Sequence, residues 1–270
     1  MIDTREDQAA GLRRLFRRAP PTVVALYATG AHRAAAAIHV AHRVAGRSSR
    51  VLLLDEAAGQ ESLAAPLGLA DGPDLLGVLG GRIGARELLQ PVAGLLGRVP
   101  VSAAALALPL LDEERRQCLV GALHSLHRHA GFVLIHASCA SAGDPSPFVF
   151  AAPRRLVVAE ASHSGATEAY RTIKHLAAAG AGALHVAVSR ARHRDDASAF
   201  FASLNALVRR HVGVPLAWLG EVERDDIAAG LTADAQRACA SEGEGEAAFL
   251  RRLALSARRP GATAQADRRP

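Results

Sequence analysis

The sequence is short of lysine, of aromatic side chains and of cysteine. Lys174 is the only lysine among 270 residues, aromatic residues make up 4%, and the three cysteines lie far apart. A scattered, odd set of cysteines gives no disulfide framework and fits a reducing compartment. No run of about 20 uncharged apolar residues occurs, so we predict no membrane span. The first ten residues, MIDTREDQAA, are charged where a secretory signal needs an apolar run, which predicts a cytoplasmic protein.

Hydrophobic residues are abundant and form half of the chain, mostly as Ala, Leu and Val. That proportion is enough to bury a sizeable core. The net charge of +6 and the pI of about 10.2 raise the question of nucleic-acid binding. Because the positive charge is almost all arginine and is spread along the chain, we interpret it as a solvated basic surface and expect no nucleic-acid partner. The alternative is a DNA-associated scaffold, which predicts duplex binding that weakens steeply with salt.

The ends of the chain differ in pattern from its middle. Residues 4–18 predict an amphipathic helix, with an apolar stripe of Leu12, Leu15 and Phe16 that ends before the two prolines at 20 and 21. Residues 241–246 predict an acidic joint, and 247–259 a last amphipathic helix. We therefore divide the chain into an N-terminal helix in 1–20, an α/β domain in 21–240, the joint and terminal helix in 241–259, and a disordered tail in 260–270.

In the middle, short and continuous apolar runs alternate with helical segments. This alternation predicts a doubly wound, mostly parallel sheet with helices on both faces. The predicted strands are Thr22–Ala28, Val51–Leu54, Phe132–His136, Leu156–Glu160, Leu184–Ser189 and Leu216–Leu219. The predicted helices are Ala34–Ala45, Glu61–Leu67, Asp74–Leu79, Ala85–Gln90, Asp112–His129, Gly165–Ala179, Asp196–His211 and Glu223–Arg237.

The turn between the first strand and the first helix is where such a fold holds phosphate. A phosphate-binding loop of the G-x-x-x-x-G-K-[ST] type needs several glycines, a lysine and a hydroxyl. This turn has Gly30 alone, Arg33 near the place of the lysine and Ala34 in the place of the hydroxyl. By composition alone it is an ordinary strand–helix turn.

Two further sets of residues bear on function. The twelve histidines include pairs at i, i+3 on predicted helices, and because these lack acidic or cysteine partners at ligand spacing we predict no metal site. In the terminal helix, Phe249, Leu250 and Leu253 form an apolar stripe beside paired arginines. The stripe predicts a core or partner contact, and the alternative is a helix that lies on a membrane surface.

Six stretches, in order along the chain, resemble the MinD/ParA family of P-loop ATPases and, within it, the flagellar regulators of the FlhG type. The resemblance runs from about residue 6 to residue 235. The stretches are DQAAGLR at 7–13, VLLLDEAAG at 51–59 with PLGL at 66–69, LLGVLGGR at 75–82 with LGRVP at 96–100, FVLIH at 132–136, TEAYRTIK at 167–174 and LAWLGEVERD at 216–225.

The resemblance implies ATP and Mg²⁺ as ligands, yet the departures from the family pattern fall on their contacts. The lysine and the hydroxyl of the phosphate loop are missing. Asp55 remains, but the second aspartate of its motif is replaced by Ala57. Where the family has Asp and Asn, this sequence has His136 and Ser189. A histidine cannot replace a carboxylate around a hard cation that prefers oxygen. We therefore expect a pseudo-ATPase without a cofactor. The alternative is a working ATPase switch with an unusual phosphate loop.

The first stretch is intact, and in FlhG-type proteins it engages the signal-recognition-type GTPase FlhF and stimulates its hydrolysis. The resemblance therefore implies that Gln8 acts at the active site of an FlhF-like partner, with Asp7 beside it, Leu12 and Leu15 as anchors and Arg13 on the rim. The alternative is that this helix packs on the chain's own sheet. The resemblance further implies flagellar basal-body components as partners and peripheral contact with the inner face of the membrane. Without an ATP-driven switch it implies either a monomer or a nucleotide-independent homodimer.

Overall fold

The computed structural model describes residues 20–46, 50–138, 145–180, 183–238 and 245–256. Within these ranges seven strands form one sheet in the order β3-β2-β4-β1-β5-β6-β7, and all neighbouring strands are parallel. The strands are β1 (Thr22–Ala28), β2 (Val51–Asp55), β3 (Gly97–Pro100), β4 (Phe132–His136), β5 (Arg154–Glu160), β6 (Leu184–Ser189) and β7 (Ala217–Glu221).

Helices cover both faces of the sheet. They are α1 (Arg33–Ala45), α2 (Ser102–Ala107), α3 (Glu113–His127), α4 (Pro147–Ala151), α5 (His163–Ala178), α6 (Arg194–His211), α7 (Ile227–Ala238) and α8 (Glu246–Ala254). In the described part of the chain, none of them is long and apolar enough to cross a membrane.

The central strand β1 shows how the two faces are filled. Val24 and Leu26 face one core cluster together with α1 and α7, whereas Val23 and Ala25 face the other together with α3, α5 and α8. A strand that buries successive side chains on opposite faces must be apolar throughout, because successive residues point to opposite sides. The predicted fold class, a doubly wound parallel sheet, is confirmed.

Side-chain caps fix where several helices begin. Asp112 accepts a hydrogen bond from the backbone N–H of Arg115 (2.8 Å) at the start of α3, and Ser162 accepts one from Gly165 (3.0 Å) at the start of α5. Ser146 caps α4 through Val149 N–H (3.2 Å), followed by a proline at the first helical position. Such caps satisfy N–H groups that have no partner inside the helix.

The prediction was wrong in residues 59–101. Three predicted helices, Glu61–Leu67, Asp74–Leu79 and Ala85–Gln90, are short 3₁₀ turns at Gly59–Glu61, Ala65–Leu67, Leu75–Gly80 and Ala85–Leu88. Gly68 and Gly81 end two of these turns in the left-handed conformation, so no α-helix extends past them. The strand β3 was missed because it contains both a glycine and a proline, which an edge strand tolerates.

The terminal helix α8 packs into the domain. Phe249 and Leu253 are fully buried and Leu250 is nearly so, in the same core cluster as residues of β1, α3 and α4. Phe249 also stacks on the buried ring of His127 of α3, with 5.8 Å between ring centroids. The apolar stripe of the terminal helix thus contacts the chain's own core, and these side chains are not exposed to a lipid surface.

Candidate functional site

Polar residues end four strands of the sheet, two on each side of β1, at its carboxyl edge. Asp55 is the last residue of β2, His136 of β4, Glu160 of β5 and Ser189 of β6. All four side chains are buried. In open parallel sheets this edge is where ligands bind, so the candidate site lies here.

Asp55 lies at the centre of a buried ionic cluster. One carboxylate oxygen accepts hydrogen bonds from the hydroxyl of Ser62 (3.0 Å), the N–H of Leu63 (2.8 Å) and Nε of Arg98 (2.8 Å). The other oxygen lies 2.9 Å from Nδ1 of His136. Arg98 comes from β3, and its guanidinium also donates to Ser62 (2.8 Å). The cluster thus joins three adjacent strands.

The surroundings of Asp55 favour its ionised form. Burial by itself raises the pKa of Asp55, but the hydrogen bond and charge of His136 and the charge of Arg98 outweigh it, and the pKa lies below its ordinary value. An ionised carboxylate offers about four lone-pair positions. Three donors already bind one oxygen and His136 lies beside the other, so Mg²⁺, which needs oxygen ligands, would have to compete with these groups for the carboxylate.

The loop between β1 and α1 is bound by two carboxylates. The N–H of Gly30 donates to Glu168 of α5 (2.8 Å), and the N–H of His32 donates to Glu160 (3.0 Å). The ring of His32 lies 3.3 Å from the same Glu160 carboxylate. These are the loop amides that would face phosphate oxygens in a nucleotide-binding protein.

Arg33, the first residue of α1, braces this loop. Its Nε donates to the carbonyl of Gly30 (3.2 Å), and its guanidinium pairs with Glu61 (3.2 Å) and lies 3.8 Å from Glu168. Glu61 in turn accepts a short hydrogen bond from Ser138 after β4. The arginine in the lysine's place is therefore engaged by carboxylates of its own chain.

The loop does not fit a nucleotide phosphate. A P-loop places five residues between its first glycine and its lysine, whereas only two separate Gly30 from Arg33. A Cβ built on Gly30, which has a φ of +90°, would lie 2.4 Å from the carboxylate of Glu160, so the space beside the loop is taken. Three carboxylates, those of Glu61, Glu160 and Glu168, would also repel an incoming phosphate.

Two other residues of this edge differ in their surroundings. Ser189 pairs in register with Glu160, and its buried hydroxyl has no hydrogen-bond partner within the described residues. Glu56, next to Asp55, accepts a hydrogen bond from Ser146 (2.6 Å). Burial, with a smaller contribution from the charge of Asp55, raises the pKa of Glu56 to about 7 although the Ser146 hydrogen bond opposes the shift.

The structure brings together five residues predicted as a degenerate nucleotide site. These are Gly30, Arg33, Asp55, His136 and Ser189, all at the carboxyl edge of the sheet. The five residues of the N-terminal element, Asp7, Gln8, Leu12, Arg13 and Leu15, lie outside the described residues. No group of three His, Cys, Asp or Glu side chains that could hold a metal ion occurs in the described ranges.

The residues that fill the site were missed from sequence. They are Arg98, Glu160, Glu168 and Glu61, and each lies far along the chain from the group it binds. One signal was available, because Glu160 ends a predicted strand and the carboxyl ends of parallel strands meet at one edge. Arg98 gave no such signal, since β3 itself was not predicted.

Searches with the sequence and with the structure gave different results. No protein-family model matches the sequence, and no curated protein matches it. The structure resembles MinD in a MinC:MinD cell division protein complex from Aquifex aeolicus, with 17% identity, a TM-score of 0.53 and coverage of 86% of this chain and 93% of that chain. It also resembles a ParA family ATPase from Chlorobium tepidum TLS, with 14% identity, a TM-score of 0.50 and coverage of 87% and 96%.

These likenesses define the class of fold. The chain has the seven-stranded, parallel fold shared by MinD and ParA-type P-loop ATPases. At such low identity the likeness concerns the fold, and activity must be argued from the site. In this chain the amides of Gly30 and His32 and the carboxylate of Asp55 are bound by the chain's own side chains.

Proposed function

We propose that this chain is a regulator of the FlhG type, which controls flagellar number or placement through a protein partner and does not hydrolyse ATP. The observation that carries the proposal is the buried cluster of Asp55, Arg98 and His136. In a working ATPase of this fold an aspartate at the carboxyl edge of the sheet would serve a metal ion. Here the carboxylate of Asp55 at that edge is bound by side chains of the chain itself.

The first residues supply the proposed activity. The stretch DQAAGLR at 7–13 resembles the element with which FlhG-type proteins stimulate an FlhF-like GTPase. We infer that Gln8 orients the attacking water in the partner, as activating glutamines do, and that Leu12 and Leu15 bind an apolar groove. The α/β domain then serves as the scaffold that carries this N-terminal stretch to the partner.

The packing of the terminal helix against the core agrees with a scaffold role for the α/β domain. The apolar side chains of α8 are buried against α3 and α4, so we do not assign it to a membrane surface. The proposed site of action is the cytoplasm, with flagellar components as further partners. Because no nucleotide switches the domain, its oligomeric state is proposed to be the same with and without ATP.

The test is the GTP hydrolysis rate of an FlhF-like GTPase with the full chain added. We expect the chain to raise the rate, and Gln8→Ala or deletion of residues 1–20 to abolish the increase. Glu6→Ala, two residues away, is the matched control and should keep it. Stimulation that survives both Gln8→Ala and the deletion would remove the N-terminal element from the proposal.

A second measurement separates the pseudo-ATPase from the working ATPase. Phosphate release from Mg²⁺-ATP is followed with the full chain, alone and with the GTPase partner held without GTP. We expect release at the background rate of the buffer in both cases. Turnover above background would favour the ATPase switch with an unusual loop.

A further inference from the structure

Two carboxylates from distant parts of the chain converge on the loop that follows β1. Glu168 lies on α5 and Glu160 ends β5, 138 and 128 positions from the amides that they bind. Each accepts a backbone N–H hydrogen bond, of 2.8 Å at Gly30 and 3.0 Å at His32. Charge-assisted bonds of this kind are roughly twice as strong as neutral ones.

The burial of the two groups indicates that the contacts are built into the fold. The side chain of Glu160 is 11% exposed and that of Glu168 is 33% exposed. Gly30 adopts a φ of +90°, and a side chain there would overlap the Glu160 carboxylate. The amides of Gly30 and His32 are turned toward carboxylates, and backbone N–H groups presented in turns of this kind bind anions.

An ordinary strand–helix turn would not require this arrangement. Its free amides could be hydrated, since such turns lie at the protein surface. Here Arg33 adds a cation between Glu61 and Glu168 and donates back to the loop carbonyl of Gly30. The loop is therefore held from both sides, by anions on its amides and by a cation on its carbonyl.

We propose that Glu160 and Glu168 act as internal substitutes for a bound phosphate and hold this loop permanently in one closed conformation. The inference rests on the proposed function, in which no nucleotide switches the domain. In a switch protein a bound phosphate orders the loop, and its loss releases it. Because the carboxylates here belong to the chain, the loop stays ordered without a ligand and a free anion finds its amides occupied.

The first test is amide hydrogen exchange of Gly30 and His32 in the full chain. We expect both amides to be protected without any ligand. The double variant Glu160→Gln, Glu168→Gln should exchange about tenfold faster or more at these two positions, because neutral acceptors bind amides more weakly. Glu114→Gln, a change at an exposed residue of α3, is the matched control and should leave both rates unchanged.

A second variant keeps this test valid if the double variant is poorly folded. Glu168→Ala changes a side chain at the surface of α5, and it should release the Gly30 amide while the amides of β1 remain protected. The proposal would be overturned if the Gly30 and His32 amides of the unmodified chain exchanged as fast as those of an unstructured peptide. Unchanged protection in both variants would overturn it as well.

The second test uses inorganic phosphate as the probe. Phosphate should raise the melting temperature of the unmodified chain no more than chloride at equal ionic strength. In the double variant, phosphate at millimolar concentration should raise it further than chloride, because neutral acceptors hold the loop amides more weakly and two negative charges beside them are removed. An equal response in both proteins would overturn the claim that the carboxylates occupy an anion position. Neither test uses ATP or the GTPase, so failure here is distinct from failure of the proposed function.

Discussion

Two regions of the carboxyl edge carry side chains of opposite charge. The loop after β1 is surrounded by the carboxylates of Glu160 and Glu168, whereas Asp55 at the end of β2 is paired with Arg98 and His136. A Mg²⁺-nucleotide complex would place anions at the loop and a cation at the aspartate. The carboxylates at the loop carry the negative charge that a phosphate would bring. The guanidinium of Arg98 at Asp55 carries the positive charge that a metal ion would bring.

The two regions differ in their exposure to water. Asp55 and Arg98 are 0% and 3% exposed, whereas the side chains of His32 and Glu168 are 49% and 33% exposed. Charge pairs in the interior are screened little, and pairs near the surface are screened strongly. The buried cluster should therefore determine stability, and the loop contacts should determine local conformation.

The largest expected effect comes from breaking the buried cluster. Arg98→Met should destabilise the chain by about 3–5 kcal/mol, because it leaves the Asp55 carboxylate buried without its guanidinium partner. Urea unfolding measures the free energy. The matched control is Arg115→Met, which removes an exposed pair with Asp112 and should cost about 0–1 kcal/mol. A cost equal to that of the control would remove the contrast between the two regions.

A smaller effect, dependent on pH, is expected at Glu56 beside the cluster. Its pKa is raised to about 7 from an ordinary value of 4.5, so the folded state binds more protons than the unfolded state between these values. Stability should therefore fall as pH rises through this window and level off above it. Glu56→Gln should remove this dependence and be more stable than the parent by about 3 kcal/mol near pH 8.

Thermal unfolding of both proteins across the same pH series is the measurement. Below the ordinary pKa the two proteins should be equally stable, since Glu56 is then protonated in both states. A parent whose stability does not fall between the two pKa values would show that Glu56 is ionised without cost. Ser146 can still donate to the amide oxygen of the variant, so its cap of α4 is retained.

The smallest stability change is expected at the loop. Gly30→Ala should cost about 1–2 kcal/mol, because the new Cβ meets the Glu160 carboxylate and the positive φ disfavours a side chain. Gly84→Ala has open space and a φ of −81°, so it is the control and should be nearly neutral. The loop amides of Gly30→Ala should also lose their protection from exchange. If the two variants were equally stable and equally protected from amide exchange, Glu160 would not limit the space beside Gly30.

Sequence patterns predicted the regular part of the fold and the position of the site. The strands β1, β4 and β6 were predicted with their observed ends, because strands buried on both faces are continuous apolar runs. Asp55, His136 and Ser189 were singled out through the resemblance to the MinD/ParA family, and each of them ends a strand in the structure. The fold had to be known before Glu160 and Glu168 could be placed beside Gly30, since long-range contacts leave no local pattern.

The region between β2 and α3 resisted prediction for a different reason. Its 3₁₀ turns are too short to show a helical period, and β3 has four residues with a glycine and a proline. Arg98 lies in this region, so the partner that neutralises Asp55 could not be inferred. The resemblance predicts which ligand contacts are missing, and the structure shows which side chains surround Gly30 and Asp55.

We propose that side chains of this chain take the places of a phosphate and a metal ion at the carboxyl edge of the sheet. Equilibrium titration of the full chain with fluorescent ATP, with and without Mg²⁺, tests it most directly. We predict no saturable binding into the millimolar range and no effect of Mg²⁺, because the loop amides and Asp55 are already engaged. Micromolar binding that depends on Mg²⁺ would contradict the account.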